Sequence, residues 1–221
     1  MENFDLYESN IRGVPLFRGI SDEQLSPLLE QLKANIKTFQ EGDYISLEDD
    51  SIAQIGIILK GRVDMIKEDV WGHRTVFVRM RPYELFGESF ACGLEQKSTV
   101  TFVSEETSVV LFVGYQNILK LGRKSQILEN LTHLLSEKNV RLMEKIEVIS
   151  KPTLREKIST FLWIQSRRQK SKYVEIHMKR SEWADYLCAN RSSLARELVL
   201  MKEEGLIDFD RNIFFIKDLM K

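Results

Sequence analysis

Cysteine, histidine and proline are scarce in this chain, and each scarcity narrows what it can be. Its 221 residues include two cysteines, three histidines and four prolines. Cys92 and Cys188 lie far apart without Cys-x-x-Cys spacing, which argues for a reducing compartment and against a disulfide framework, a zinc site or an iron–sulfur cluster. His73, His133 and His177 are scattered, and no nucleophile–base pair, metal cluster or phosphate loop stands out, so enzymatic chemistry finds no support. No apolar run approaches the ~20 residues that cross a bilayer. The opening MENFDLYESN is acidic and polar, unlike a secretory signal. These absences lead us to expect a cytoplasmic protein with no membrane contact and no resident metal.

Charge, by contrast, is plentiful and unevenly placed. From residue 151 onward there are 15 Lys and Arg against 10 Asp and Glu, whereas residues 1–150 hold 17 against 23. The overall net charge of −1 therefore hides a basic C-terminal part joined to an acidic N-terminal one. That asymmetry fits a nucleic-acid-binding domain attached to something else.

The most specific pattern is Ser181 to Gly205, SEWADYLCANRSSLARELVLMKEEG, which reads as two short helices around a tight turn. Ala184 is small enough for a second helix to pack closely, Leu187 closes the first helix, and Cys188-Ala189 make the turn. Asn190 is expected to cap the second helix with its side-chain oxygen. Leu194, Leu198 and Met201 recur at steps of four and three as a buried stripe, and Gly205 ends the helix as a permissive C′ residue. The opposite face carries Arg191, Ser192, Ala195 and Arg196. A helix-turn-helix presents such N-terminal positions to base edges, and arginine can donate two bonds to guanine O6 and N7. Cys188 stands where these turns often hold glycine, which implies either a non-glycine residue at positive φ or a reshaped turn.

Flanking segments extend the pattern. Leu154 to Gln165 reads as a helix, Arg167 to Lys172 as a basic loop, and Tyr173 to Met178 as a strand. Leu206 to Phe209 and Ile213 to Ile216 form a hairpin around Asp210-Arg211-Asn212, completing a winged helix-turn-helix. Upstream, Asp22 to Lys33 reads as a helix capped by Ser21. Runs at Ile55 to Leu59, Val63 to Ile66, Thr75 to Val78, Thr99 to Val103 and Val109 to Val113 are short strands at roughly ten-residue spacing, as in a sandwich or jelly roll. Ser125 to Ile149 is the longest helical pattern. Leu128, Leu131, Leu135, Leu142, Ile146 and Ile149 form its seam, with Asn139 as the one polar member. The seam reads as a two-fold dimerisation surface or as a face packed on its own domain, and paired DNA half-sites favour the dimer. Lys151-Pro152 marks a break or hinge.

The order of small helix, β-roll, long central helix and winged helix-turn-helix resembles the Crp–Fnr superfamily of transcription regulators over nearly the whole chain. Leu59-Lys60-Gly61-Arg62-Val63 looks like its glycine turn between roll strands, and Leu85-Phe86-Gly87-Glu88 like the start of its phosphate-binding cassette. Arg191, Ser192 and Arg196 match the positions that contact bases in the catabolite activator type, and Lys179 and Arg180 resemble residues that hold DNA phosphates. The middle base-contacting position is commonly Glu in that type, so Ser192 implies a different operator. The cyclic-nucleotide binders place Arg-Ser where this chain has Lys97 and Ser98, and lysine lacks the planar fork of arginine. Where the cyclic-AMP type offers Thr-Ser to adenine, this chain has Leu142 and Met143. The iron–sulfur branch needs an N-terminal cysteine cluster, which is missing, and a haem branch would have only His73 and Cys92 to draw on.

The resemblance thus implies an α+β protein with an effector-sensing roll (1–124), a dimerisation helix (125–150) and a DNA-binding domain (151–221). It implies a homodimer on palindromic double-stranded operator DNA, with RNA polymerase a candidate partner through the Arg167–Lys172 loop. The effector pocket would draw on Gly87, Glu88, Lys97, Ser98, Leu142 and Met143. Its ligand is an unnamed small molecule, and cyclic AMP is disfavoured. The rival reading is a cyclic-nucleotide-regulated signalling module that does not touch DNA.

Overall fold

A computed structural model describes residues 4–122 and 125–217, and it divides the chain into two compact units, Met1–Ser136 and Glu137–Lys221. The first unit begins with 3₁₀ turns at Phe4–Tyr7 and Pro15–Phe17 around helix α1 (Glu8–Gly13), followed by α2 (Asp22–Gln31). The expected Ser21 start of α2 is observed, with the Ser21 amide donating to Gln24 Oε1 at 3.3 Å. Strands β1 (Asn35–Phe39), β2 (Tyr44–Ser46), β3 (Gln54–Lys60), β4 (Val63–Glu68), β5 (Arg74–Met80) and β6 (Leu85–Phe86) lead to the short helix α3 (Glu88–Ala91). Strands β7 (Thr101–Ser104) and β8 (Ser108–Gly114), then α4 (Tyr115–Lys120), complete the roll.

Two four-stranded antiparallel sheets result, ordered β1-β8-β3-β6 and β2-β7-β4-β5. The five expected strands all form. Three more form beside them: β1 and β2, which mix polar and apolar residues, and the two-residue β6, whose Leu85 and Phe86 are both buried. Ile55, Ile57 and Leu59 of β3 are buried with Val63, Phe102, Leu111 and Val113. Phe86 fills the middle of this core, its ring centroid 5.0 Å from that of Phe102. Gly56 makes room for it, since a Cβ there would fall 2.3 Å from the Phe86 ring.

The predicted glycine turn joins β3 to β4. Gly61 has φ +82°, and a Cβ on it would lie 2.6 Å from the Thr107 carbonyl oxygen. Ser108 Oγ closes the same turn, accepting from the Arg62 amide at 3.0 Å.

Helix α5 (Gln126–Ile149) runs over the boundary between the units. In its first half, Ile127 and Leu131 are buried in the roll's core, and Leu128, Leu134 and Leu135 pack against it. Asn130 fixes this half by donating to the carbonyls of Leu16 and Arg18, at 2.9 and 2.8 Å.

The second unit holds the end of α5, then α6 (Leu154–Gln169), β9 (Tyr173–Glu175), α7 (Arg180–Tyr186), α8 (Arg191–Glu203), β10 (Ile207–Asp210) and β11 (Ile213–Ile216). Its three strands order as β10-β11-β9. Val148 of α5 is buried together with Ile158 and Leu162 of α6, so the Lys151-Pro152 break lies inside a packed unit. A capping box starts α6: Thr153 Oγ1 accepts from the Glu156 amide at 3.2 Å, and Glu156 Oε2 accepts from the Thr153 amide at 3.0 Å. This helix runs one turn beyond the expected Gln165, so Arg167 and Arg168 belong to it and the basic loop is shorter than predicted. Arg168 pairs with Glu144 at 2.5 Å, which rewards the extra turn. No helix among the described residues is long and apolar enough to cross a membrane.

Gly61→Ala combines a left-handed backbone with a backbone clash, and is expected to destabilise the roll by about 2 kcal/mol or more. Gly42 shares the positive φ, at +86°, but has open space around it. Gly42→Ala should therefore cost only about 1 kcal/mol, and urea unfolding of the full chain measures both.

Candidate nucleic-acid interface and effector pocket

The turn of the helix-turn-helix is built without glycine. Cys188 takes φ +53°, and the Ala189 amide donates to the Ala184 carbonyl at 2.9 Å. Ala184 is buried, as a close approach of α7 and α8 requires. Asn190 occupies the N-cap of α8, but no side-chain capping bond forms. This corrects the expected cap: Asn190 has the extended backbone of an N-cap, at φ −77° and ψ 141°, but its side chain is not turned onto the first amides of α8. At the other end, Leu206 donates to the Met201 carbonyl at 2.9 Å and Gly205 to that of Lys202 at 3.0 Å. With Gly205 at φ +75° this is a Schellman stop.

Leu194, Leu198 and Met201 are buried, which fixes the rotation of α8 about its axis. Arg191, Ser192, Ala195 and Arg196 are therefore all turned to solvent on one face. Among the described residues, no carboxylate pairs with Arg191 or Arg196. Lys179 is exposed at the start of α7, where its amide donates to Glu182 Oε2 at 2.8 Å. Its neighbour Arg180 is half-buried, and burial alone lowers its pKa.

The back of α8 is held by a residue that sequence reasoning passed over. Arg155 of α6 donates to Glu197 at 2.6 Å and, through both terminal nitrogens, to Glu204 at 2.6 and 2.8 Å. These hydrogen bonds, Glu204 first, raise the Arg155 pKa. Glu197 and Glu204 are seven residues apart, two turns on one helical face, and that spacing was the available signal. Lys157 adds a bond to the Leu187 carbonyl at 3.3 Å, closing the end of α7.

In the roll, Gly87 leaves β6 at φ +73° and turns the chain into α3. Glu88 is buried, only 5% exposed. Burial, and then the Glu88 charge, push the Cys92 thiol up to about 11. Lys97 is exposed and its ammonium lies 3.0 Å from Asp49 Oδ1. That hydrogen bond leads the causes that raise the Lys97 pKa. Ser98 is buried, and its hydroxyl donates to the Val100 carbonyl at 2.6 Å. As placed, Lys97 pairs with Asp49 and the Ser98 hydroxyl is bonded within its own turn. His73 lies on the β4–β5 hairpin, exposed and bonded to Asp69 at 3.0 Å. Among the described residues no group of His, Cys, Asp and Glu could hold a metal ion.

The expected seam on α5 divides. Leu131 is buried and Leu128 and Leu135 pack on the first unit's own core. Within the second unit Asn139 is exposed and Ile149 half-buried. Leu142, Met143 and Ile146 are 57%, 63% and 54% exposed, an apolar stretch with no partner among the described residues.

Comparison with known proteins agrees with this architecture. A cyclic nucleotide-binding domain family model matches residues 36–125, and a Crp-like helix-turn-helix domain model matches residues 156–221. A probable cyclic nucleotide-gated ion channel 14 from Arabidopsis thaliana is 32% identical over 103 residues, 45% of this chain and 14% of the channel. Potassium channel KOR2 from Oryza sativa subsp. japonica is 29% identical over 132 residues, 57% of this chain and 18% of the channel. The matches thus span less than a fifth of these curated relatives. Among solved structures, a CooA mutant from Carboxydothermus hydrogenoformans superposes with a TM-score of 0.64 at 14% identity, over 93% of this chain and 92% of that one. The c-di-GMP responsive global regulator CLP from Xanthomonas campestris gives 0.55 at 15% identity, over 86% and 98%. At such identities these structures speak for the fold. With a cyclic nucleotide-binding domain followed by a Crp-like helix-turn-helix along one chain, the protein belongs to the Crp–Fnr superfamily of transcription regulators.

Proposed function

We propose that this protein is a cytoplasmic, homodimeric regulator, not an enzyme, that binds palindromic operator DNA sequence-specifically under the control of a small molecule held in the roll. One observation carries the reading. On a unit where Arg155, Arg168 and Lys202 are all paired with carboxylates, Arg191 and Arg196 are exposed and uncommitted on the face of α8. Two such guanidiniums five residues apart, about one and a half helical turns, suit bidentate bonds to guanine edges in the major groove. Ser192 adds a weaker base or phosphate contact, and Lys179 grips backbone phosphate.

The exposed Asn139, Leu142 and Ile146 support pairing of two copies along α5, with the asparagine setting register. Two copies would present two recognition helices to half-sites about one turn of DNA apart. The effector must then bind the DNA-competent arrangement more tightly than the other, because only differential affinity shifts an equilibrium. Gly87, Glu88, Lys97 and Ser98 would line its site in the roll. The Lys97–Asp49 pair and the committed Ser98 hydroxyl favour an effector other than cyclic AMP. The short basic segment after α6 is a candidate contact for RNA polymerase.

Gel-shift titration at physiological salt against a random-sequence pool tests the DNA reading, and binding without sequence preference would sink it. Arg196→Ala is expected to relax specificity at one operator position, at a cost of about 1–3 kcal/mol, while Lys179→Ala weakens all DNA alike and lowers the salt slope by about one. Ile146→Glu should shift the protein from dimer to monomer in sedimentation while leaving the roll folded. Isothermal titration with cyclic AMP should give no saturable heat, whereas thermal-shift screening of metabolites should find a stabilising ligand.

A further inference from the structure

We propose that Arg180 is the pin that holds the wing against the helix-turn-helix, a positioning residue and not a phosphate ligand. Its effect on DNA rests on the DNA-binding reading above; its effect on the wing does not. Arg180 opens α7, a place from which an arginine could reach a DNA backbone. Its guanidinium instead lies over three rings, 4.7 Å from the centroid of Phe214, 5.3 Å from Trp183 and 5.6 Å from Phe209. Nη2 donates to the Arg211 carbonyl at 2.5 Å, in the turn between β10 and β11. No carboxylate among the described residues pairs with the guanidinium, so the rings and that carbonyl are what hold it.

The rings themselves tie three elements together. Trp183 comes from α7, Phe209 from β10 and Phe214 from β11. Phe209 stacks on Phe214 with centroids 5.3 Å apart, and Trp183 meets Phe214 edge-on at 5.3 Å. Lys202 of α8 lies 5.2 Å from the Phe209 centroid and pairs with Asp208 at 2.7 Å. Arg180 is thus the group in this cluster that bonds the wing's turn, while Lys202 holds its first strand. A flat, delocalised cation matches ring faces and a carbonyl at once, and a lysine ammonium cannot reproduce both. Swinging Arg180 out to a phosphate would give up three ring contacts and leave the Arg211 carbonyl without this donor.

The test uses full-length protein with Arg180→Lys, Arg180→Gln and, as a control, Lys179→Gln. Hydrogen exchange of the 207–217 segment is followed without DNA, and binding to a selected operator is followed across salt concentration. Both Arg180 variants should speed exchange in the wing by about tenfold or more and weaken operator binding, with the slope of log affinity against log salt unchanged. Lys179→Gln should lower that slope by about one and leave wing exchange alone. A slope lowered by about one in Arg180→Gln overturns the proposal, as does wing exchange equal to that of the unmodified protein. If Arg180→Gln does not fold, Arg180→Lys decides by the exchange readout, because it keeps the charge a phosphate would need. Should the unmodified protein bind no DNA selectively, the DNA reading fails while wing exchange still decides the pin.

Discussion

Burial of the Trp183 indole is the interaction on which the second unit depends. It has no exposed surface, and it meets Phe161 of α6 at 5.2 Å and Phe214 of β11 at 5.3 Å. Helix, helix-turn-helix and wing therefore share one aromatic centre. Removing apolar surface of this size from water is worth several kcal/mol, and Leu162, Leu187, Met201 and Ile207 are buried in the same cluster. The angle at which α7 presents α8 follows from this packing together with Ala184, whose small side chain lets the two helices approach.

Around that centre the cations divide into committed and available. Arg155, Lys157, Arg168, Arg180 and Lys202 are spent on carboxylates, carbonyls and rings that brace the unit. Arg191, Arg196 and Lys179 are left to solvent. Surface ion pairs contribute little stability one at a time, but a bidentate arginine bridging two carboxylates fixes geometry. Helix α8 thus has its back held by Arg155, while Arg191 and Arg196 on its front have no carboxylate partner among the described residues. In the roll, Lys97 is paired with Asp49 in turn.

Much of this was legible beforehand because periodicity reports burial. Leu194, Leu198 and Met201 named the buried face of α8, and its opposite face followed by geometry. The five apolar runs of the roll were found for the same reason. The strands β1, β2 and β6 were missed because β1 and β2 mix polar with apolar residues and β6 is two residues long, and strands so short owe their existence to their partners. The Asn190 cap was half right, since residue type marks the N-cap position without orienting the side chain there, and the extra turn of α6 carries Arg168 to a pairing with Glu144 that its sequence neighbours do not announce. Three of the seven seam residues, Leu128, Leu131 and Leu135, pack on the roll core, since steps of three and four say that a face is covered without saying by what.

The sequence by itself determined the α+β class, the succession of roll, long helix and winged helix-turn-helix, and which side of α8 faces outward. Those features are local, written in spacing, capping residues and turn chemistry. Tertiary structure decided which charges are free. A lysine beside an aspartate 48 residues away, or an arginine over rings from three elements, looks in sequence like any other surface cation. Only folding brings Asp49 to Lys97 and Phe214 to Arg180, and pairing energies act through space and not along the chain.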